Sequence, residues 1–209
     1  MPNHVENHLI ITAPPAVLDD VRDFFKDGFD FNKLIPMPTD LEIADGSEGR
    51  IGYRVLYGDW ETVAAYDWTP EAAYREQLVA WFEEERPGAL ELGRRYRENE
   101  LKYGARTWYD WSLRNWGTKW NAYEVQLVSE DKPFEIAFLT AWDPPHPVIE
   151  KLAERFPRAT IRHVYLDGDL LGEVRVYEGG TFLSLTGTGG VLEFARAVAR
   201  TMPQPGARS

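Results

Sequence analysis

Two strand-then-helix patterns, separated by a long middle region of different character, constrain the fold of this chain most strongly. In the first pattern, residues 4–12 (HVENHLIIT) place apolar side chains at the two-residue period of a strand. Pro14 and Pro15 then open a predicted helix that ends near Lys26, and Gly28 follows where helices commonly close. The chain is therefore predicted to begin with a strand and a helix.

The second pattern begins at Tyr123 and contains more strands. Alternating apolar residues predict strands at 123–127 and 134–138, and a turn at Glu130–Pro133 joins them. The proline-rich stretch Asp143–Pro147 leads into a helix that Pro157 ends. Further elements are predicted as strands at about 159–166, 172–178 and 181–186, and as a last helix at about 190–201.

The order of these elements predicts the fold class. Without the middle region, the first six elements have the order β-α-β-β-α-β, which is that of a ferredoxin-like split βαβ motif. We therefore predict an α+β fold: an antiparallel sheet with helices on one face, a helical insertion, and extra C-terminal strands and a helix. The prediction is a single domain over 1–209, with a ferredoxin-like core at 1–28 plus 122–178, an inserted loop and helical region at 29–121, and a C-terminal extension at 179–209.

The middle region is predicted to contain a long loop followed by three helices. Residues 29–60 carry prolines and four glycines, which favours an extended ordered loop, with one short strand near Tyr53–Tyr57. Thr69–Pro70 has the residue types that cap and begin a helix, and this helix is predicted to run to about Glu85. The other two helices are predicted at 89–103 and 107–116.

Acidic and basic residues cluster on the first two of these predicted helices. Glu83–Arg86 ends the first helix, and Arg94–Arg97 lies on the second. We expect ion pairs between neighbouring helices, and a basic patch for nucleic acid is the alternative.

Composition and charge exclude several classes of protein. The chain of 209 residues has no cysteine, which excludes disulfide scaffolds, thiol catalysis and the common zinc sites. No apolar run approaches the roughly 18 residues of a transmembrane helix, and the N-terminus lacks the pattern of a secretory signal, so we expect a cytoplasmic protein. The net charge of −11 is concentrated in residues 1–68, which carry 13 acids and 5 bases. Such a charge repels nucleic-acid phosphates and favours basic protein partners.

Residues 103–123 (YGARTWYDWSLRNWGTKWNAY) form the most distinctive motif. Four of the eight tryptophans fall here, and Gly117 permits a left-handed turn between them. Aromatic rings beside lysine and arginine can stack on bases or bind a partner's cation, and Trp, Tyr and Arg dominate protein interfaces. The alternative is a structural corner, in which the rings pack the insertion onto the sheet and the polar side chains hold the turn. The predicted binding residues are Arg106, Trp108, Trp111, Asn115, Trp116, Lys119, Trp120 and Asn121.

Several stretches of this chain resemble one family of phage and plasmid proteins. NWGTKWNA at 115–122, with WYDW at 108–111, resembles the proteins that carry a YubB ferredoxin-like domain. The stretches MPNHVENHLIITAP, FNKLIPMPTDL and TAWDPPHPVIEKLAERFP agree with that family. The family commonly has Trp-Cys after its first asparagine, where this chain has His4 and Val5, so no cysteine chemistry of the family applies here. The resemblance implies a ferredoxin-like domain with an inserted helical region, encoded on mobile elements.

Candidate chemistry elsewhere in the chain is sparse. His4, Glu6 and His8 share one strand face, and because the two histidines are about 13 Å apart, we expect exposed residues rather than a metal site. His146 is expected to cap its helix. The Gly187–Gly190 loop lies between a strand and a helix, as phosphate-binding loops do, but lacks a P-loop or dinucleotide fingerprint, and a tight turn is the alternative.

The preferred hypothesis is a non-enzymatic accessory protein of a phage or plasmid that binds a host protein through its acidic surface. The host protein is expected to belong to a defence system (CRISPR or restriction) that itself binds nucleic acid, because an acidic surface can occupy a site shaped for phosphates. The second hypothesis is a single-stranded nucleic-acid-binding protein that uses the Trp/Lys-rich loop, and the third is a small-molecule enzyme. No catalytic residue, metal or cofactor is predicted.

Overall fold

A computed structural model of the chain describes residues 3–167 and 171–187. By contacts the chain divides into two compact units: a ferredoxin-like unit of Met1–Pro36 with Ser112–Ser209, and a helical unit of Met37–Trp111. No helix in the described ranges is both long and apolar enough to cross a membrane.

The α-helices and strands in chain order are β1 (His4–Thr12), α1 (Pro15–Phe25), α2 (Ser47–Tyr57), α3 (Trp60–Ala64), α4 (Arg75–Glu85), α5 (Pro87–Tyr103), α6 (Trp108–Asn115), β2 (Tyr123–Ser129), β3 (Phe134–Ala141), α7 (His146–Arg155), β4 (Thr160–Asp167), β5 (Leu171–Glu178) and β6 (Thr181–Gly187).

The described strands form one antiparallel sheet in the order β2-β3-β1-β4-β5-β6. The first four positions of this order, with α1 and α7 in the connections, are the ferredoxin-like arrangement, so the predicted fold class is confirmed. The central strand is β1, which pairs Leu9 with Ile136 of β3 and with His163 of β4. The strands β5 and β6 extend the sheet beyond β4, as the predicted extra strands require. The helix predicted at 190–201 lies outside the described residues.

Aromatic residues dominate the core beneath α1. The buried side chains of this helix recur at three- and four-residue spacing, so they lie on one face, which packs against the sheet. The ring of Phe25 stacks on Phe134 of β3 at 5.4 Å between centroids, and the ring of Phe24 meets Phe156 edge-on at 5.8 Å. A smaller apolar cluster on the opposite sheet face contains Val164 and Val174.

The helical unit has its own core, and α2 and α5 approach closely within it. A Cβ atom added to Gly52 of α2 would lie 1.7 Å from the carbonyl oxygen of Ala89, and one added to Gly93 of α5 would lie 2.5 Å from the carbonyl carbon of Gly52. Only glycine permits this contact between backbones. The buried side chains of this core are Val55, Val63, Leu78, Phe82, Ala89 and Leu90.

The structure corrects two expectations for the insertion. The extended loop predicted at 29–60, with a strand near Tyr53–Tyr57, is wrong over Ser47–Tyr57, because these residues form helix α2, whose small buried residues pack on α5. The predicted helix start at Thr69–Pro70 is also wrong, because α4 begins at Arg75. The Thr69 hydroxyl donates instead to the carbonyl oxygens of Tyr66 and Val63, at 2.8 and 3.0 Å. The helices predicted at 89–103 and 107–116 are confirmed as α5 and α6.

Candidate protein-binding surface

The turn after α6 is anchored inside the ferredoxin-like unit by buried side chains. The indole nitrogen of Trp116 donates to the carbonyl oxygen of Ile35 at 2.9 Å, and its ring meets Phe31 edge-on at 5.7 Å. The hydroxyl of Thr118, which is fully buried, donates to the carbonyl oxygen of Ala141 at 2.7 Å. These contacts hold the turn in place within the ferredoxin-like unit.

Asn121 holds the segment that precedes the helical unit. Its amide oxygen accepts from the backbone nitrogen of Phe31 at 2.9 Å, and its amide nitrogen donates to Asp30 at 2.6 Å. Partial burial acts to raise the pKa of Asp30, but hydrogen bonds from Asn121 and Asn32 outweigh it and lower that pKa. Asn121 therefore has an intramolecular role, and its part in binding a partner stays a prediction.

Lys119 and Trp120 occupy a less buried position on the same turn. The ammonium group of Lys119 lies 4.6 Å from the ring centroid of Trp120 and 4.7 Å from that of Trp142. Trp142 adopts a φ of 80°, which costs a non-glycine residue about 1–2 kcal/mol. Its backbone nitrogen donates to the carbonyl oxygen of Asn3 at 2.9 Å. Two half-buried indoles thus flank one lysine.

The other predicted residues differ in the unit that holds them. Arg106, Trp108 and Trp111 belong to the helical unit, whereas Asn115 belongs with the turn in the ferredoxin-like unit. Trp111 is buried, and both Trp108 and Asn115 are half-buried.

Arg106 is held by partners within the helical unit. Its guanidinium donates twice to one oxygen of Glu100, at 3.0 and 2.9 Å, and lies 3.9 Å from the ring centroid of Tyr53. Burial acts to raise the pKa of Glu100, but hydrogen bonds from Tyr53, Arg106 and Arg97 outweigh it and lower that pKa. An arginine that already has these partners is a poor candidate for a phosphate contact.

The charged cluster at the end of α4 and the one in the middle of α5 are joined by an ion pair. The guanidinium of Arg94 lies 3.8 Å from the carboxylate of Glu83. Both side chains are largely exposed, so this pair contributes little stability.

The histidines of β1 have partners within the sheet. Nδ1 of His4 hydrogen-bonds to the hydroxyl of Tyr123, and Nε2 of His8 lies 3.1 Å from the carboxylate of Glu135. His8 is buried, which corrects the expectation that it is exposed, and burial lowers its pKa although Glu135 acts in the opposite direction. No group of three metal-ligating side chains occurs in the part of the chain that the structure describes.

Residues 57–76 of the helical unit, here called the acidic aromatic segment, expose three large aromatic side chains. Tyr57, Trp68 and Tyr74 are 46%, 42% and 53% exposed. The segment carries five carboxylates and one base, Arg75. Exposed tyrosine and tryptophan beside unbalanced charge are typical of a protein interface.

Arg75 fixes the two ends of the acidic aromatic segment beside each other. Its guanidinium donates to the carbonyl oxygens of Leu56 and Gly58, at 3.2 and 2.9 Å. These two carbonyls flank Tyr57 in sequence, and Arg75 directly follows Tyr74. The two exposed tyrosines are therefore held in the same neighbourhood, and the only base of the segment is bound to the backbone.

The ring of Trp68 packs against aromatic side chains of the core of the helical unit. Its ring lies 6.1 Å from Phe82 and 6.2 Å from Trp81 between centroids, and the guanidinium of Arg86 lies 4.9 Å above it. The sequence does not predict this surface, because the residue types at Thr69–Pro70 favour a helix start. The sequence signal for this surface is the combination of five acids, one base and five aromatic residues within 57–76.

The strand order and the two connecting helices define a ferredoxin-like α+β domain with two added strands. Residues 115–186 match the family model described as a ferredoxin-like domain in Api92-like protein. A solved structure, that of protein api92 from Yersinia pseudotuberculosis, is similar with a TM-score of 0.47 and 13% sequence identity, over 90% of this chain and 99% of that chain. No curated protein matches the chain.

Proposed function

We propose that this protein is a non-enzymatic binding protein whose acidic aromatic segment docks on a basic surface of a partner protein. The observation that carries the proposal is the exposure of Tyr57, Trp68 and Tyr74 in a segment with five carboxylates and a single, internally bonded base. Such rings supply buried apolar area in an interface, and the carboxylates attract and orient a positively charged partner.

The partner that fits this chemistry is a protein whose own surface is built to bind nucleic-acid phosphates. The helical unit carries 16 acids and 9 bases, so it is repelled by nucleic acid and attracted to such a surface. The resemblance to phage and plasmid proteins supports an origin on a mobile element. On that basis the proposed partner is a host defence protein of the CRISPR or restriction type, and binding blocks its nucleic-acid site.

A pulldown from bacterial host lysate, with and without nuclease, tests the proposal. We expect a stoichiometric protein partner that survives nuclease and is lost in the double variant Glu71→Lys with Glu76→Lys. Glu84→Lys, an exposed glutamate of α4 outside the segment, is the matched control and should retain the partner. Recovery that is equal for both variants would contradict the proposal, as would recovery that collapses with nuclease.

The flanked lysine of the turn favours a second candidate function, the binding of single-stranded nucleic acid. Lys119 supplies a charge for phosphate, and Trp120 and Trp142 supply faces on which bases can stack. This function predicts binding that weakens with salt and is lost in Lys119→Ala and Trp120→Ala, whereas Lys132→Ala, an exposed base of the same unit, has little effect. Flat titration curves with a single-stranded oligonucleotide would exclude it.

The small-molecule enzyme hypothesis rested on the Gly187–Gly190 loop. Residues 188–190 of this loop lie outside the described residues.

A further inference from the structure

A pocket of ≈ 370 Å³ lies beside the first turn of α7, within the ferredoxin-like unit. Its volume suits a small organic group. Neither the acidic aromatic segment nor the Lys119 turn contributes its binding side chains to it. The residues that line it are Gly117, Asp143, Pro144, His146, Pro147, Tyr165 and Glu173.

Polar side chains that are buried or half-buried form one wall of this pocket. The hydroxyl of Tyr165 donates to the carboxylate of Glu173. The ring of His146 meets the ring of Tyr165 at 5.1 Å and that of His163 at 5.8 Å between centroids. Within the described residues, the Nδ1 atoms of His146 and of the fully buried His163 are inaccessible and have no hydrogen-bond partner. Such groups are uncommon in a protein interior unless a ligand or water completes them.

The start of α7 does not offer the pocket an anion site, although helix N-termini often do. Pro145 and Pro147 have no backbone N–H. The N–H of His146 donates to the carbonyl oxygen of Pro144 at 2.9 Å. Those of Val148 and Ile149 both donate to the carbonyl oxygen of Pro145, at 3.0 and 3.1 Å. The first turn therefore has no free donor for a phosphate or a carboxylate.

The charged groups of the lining are carboxylates. Asp143 and Glu173 line the pocket, and the charge of Arg175, on β5, acts on His146. Burial, helped by the charge of Arg175, lowers the pKa of His146 to about 4, so its imidazole is neutral at pH 7. The lining thus presents hydrogen-bond acceptors and net negative charge.

We propose that this pocket binds an organic cation, an alkylammonium or guanidinium group. Its N–H groups donate to the carboxylates of Glu173 and Asp143, and its alkyl chain packs on Pro147 and Tyr165. The cation comes either from a free amine or from an arginine or lysine side chain of a protein, and both present the same chemistry to the pocket.

Titration of the full-length protein with agmatine and with N-acetylarginine amide, followed by calorimetry and by the histidine NMR signals, tests this proposal. We expect saturable binding with a dissociation constant of about 1 mM or tighter. Glu173→Gln should weaken it roughly tenfold or more, because a charge-assisted hydrogen bond is lost. Glu150→Gln, which removes an exposed carboxylate of α7, should leave it unchanged. Binding of agmatine alone assigns the site to free amines, and binding of both probes shows that an arginine side chain suffices.

Three results would overturn the proposal. The first is the absence of binding by both probes. The second is wild-type affinity in folded Glu173→Gln and in Asp143→Asn, an exposed position whose substitution does not disturb the core. The third is competition between inorganic phosphate and agmatine, because a site made of acceptors should exclude an anion.

Discussion

Nε2 of His163 lies 2.9 Å from the side-chain oxygen of Asn7, in a part of the sheet that solvent does not reach. The amide nitrogen of Asn7 donates to the carbonyl oxygen of Val5 at 3.0 Å and to the hydroxyl of Thr140 at 2.9 Å. One asparagine therefore ties β1 to both of its neighbours, β3 and β4. Because these bonds are buried, they fix the register of the central strands.

The buried His163 predicts that the protein loses stability in mild acid. Burial, together with the charges of His146 and Arg175, holds the pKa of His163 well below its ordinary value of 6.5. As the pH falls below about 6.5, the unfolded chain binds a proton that the folded chain does not, so the free energy of unfolding falls by about 1.4 kcal/mol per pH unit from this group. Above that pH the contribution is constant. We expect the free energy of unfolding, measured by urea titration at several pH values between about 7.5 and 5, to fall less steeply with decreasing pH in His163→Gln than in the wild type. Parallel slopes would contradict the assignment of this effect to His163.

The close contact of α2 with α5 predicts that two glycines cannot be replaced. Gly52→Ala and Gly93→Ala place a methyl group against backbone atoms, so we expect each to destabilise the helical unit by about 2–4 kcal/mol. Gly88→Ala, also in α5, meets only the side chain of Glu48 at 3.9 Å and should be neutral or stabilising by up to about 1 kcal/mol. Thermal unfolding followed by circular dichroism measures all three. Equal effects at the three positions would show that helix propensity, not the contact, is responsible.

The buried hydrogen bond from the hydroxyl of Thr118 should contribute to the stability of the turn after α6. Thr118→Val keeps the shape of the side chain but removes the buried hydrogen bond to Ala141, so we expect a loss of about 1–2 kcal/mol in the free energy of unfolding. Thr12→Val, at an exposed position of β1, is the matched control and should change stability by less than about 0.5 kcal/mol. Denaturant titration compares the two, and a neutral Thr118→Val would mean that the hydroxyl does not hold the turn.

The exposed tyrosines of the acidic aromatic segment predict a loss of binding without a loss of stability. Tyr57→Ala and Tyr74→Ala each remove a side chain that is about half exposed, so we expect the melting temperature to change little. Affinity for the protein partner should fall about tenfold or more, as for an interface anchor. Leu101→Ala, at a 70% exposed position of α5, should leave affinity unchanged. Binding of purified partner to each variant decides this, and equal affinity of the three variants would contradict the proposed surface.

Local periodicity was enough to predict the ferredoxin-like sheet. Residues 4–12, 123–127 and 134–138 alternate in hydrophobicity, and the structure has strands at all three places. The proline-rich start of α7 and the stripe of α1 are also local signals. Since a β-α-β-β-α-β order leaves few ways to bury these faces, the fold class follows from sequence.

The Trp-rich motif was recognised in the sequence, but its division between structural and exposed residues was not predictable. Trp116 and Lys119 lie three residues apart, yet one is buried against Phe31 and the other lies between two half-buried indoles. The partners Ile35 and Trp142 are distant in sequence from both. Only packing between remote segments decides which of these side chains is buried.

Helix α2 shows what the sequence could not determine by itself. Two glycines within Ser47–Tyr57 each cost a helix about 1 kcal/mol relative to alanine, so local propensity favours a loop or strand there. The tertiary structure reverses this preference, because Gly52 and Gly93 let two helix backbones meet and bury Val55 beside them. The hydrogen bond between Asn7 and His163 and the pocket beside α7 also depend on contacts between residues that are distant in sequence. The sequence by itself determined the strands and the two helices of the ferredoxin-like unit. Tertiary contacts decided the structure of helix α2 and the geometry of the sites, because these depend on interactions between residues that are distant in sequence.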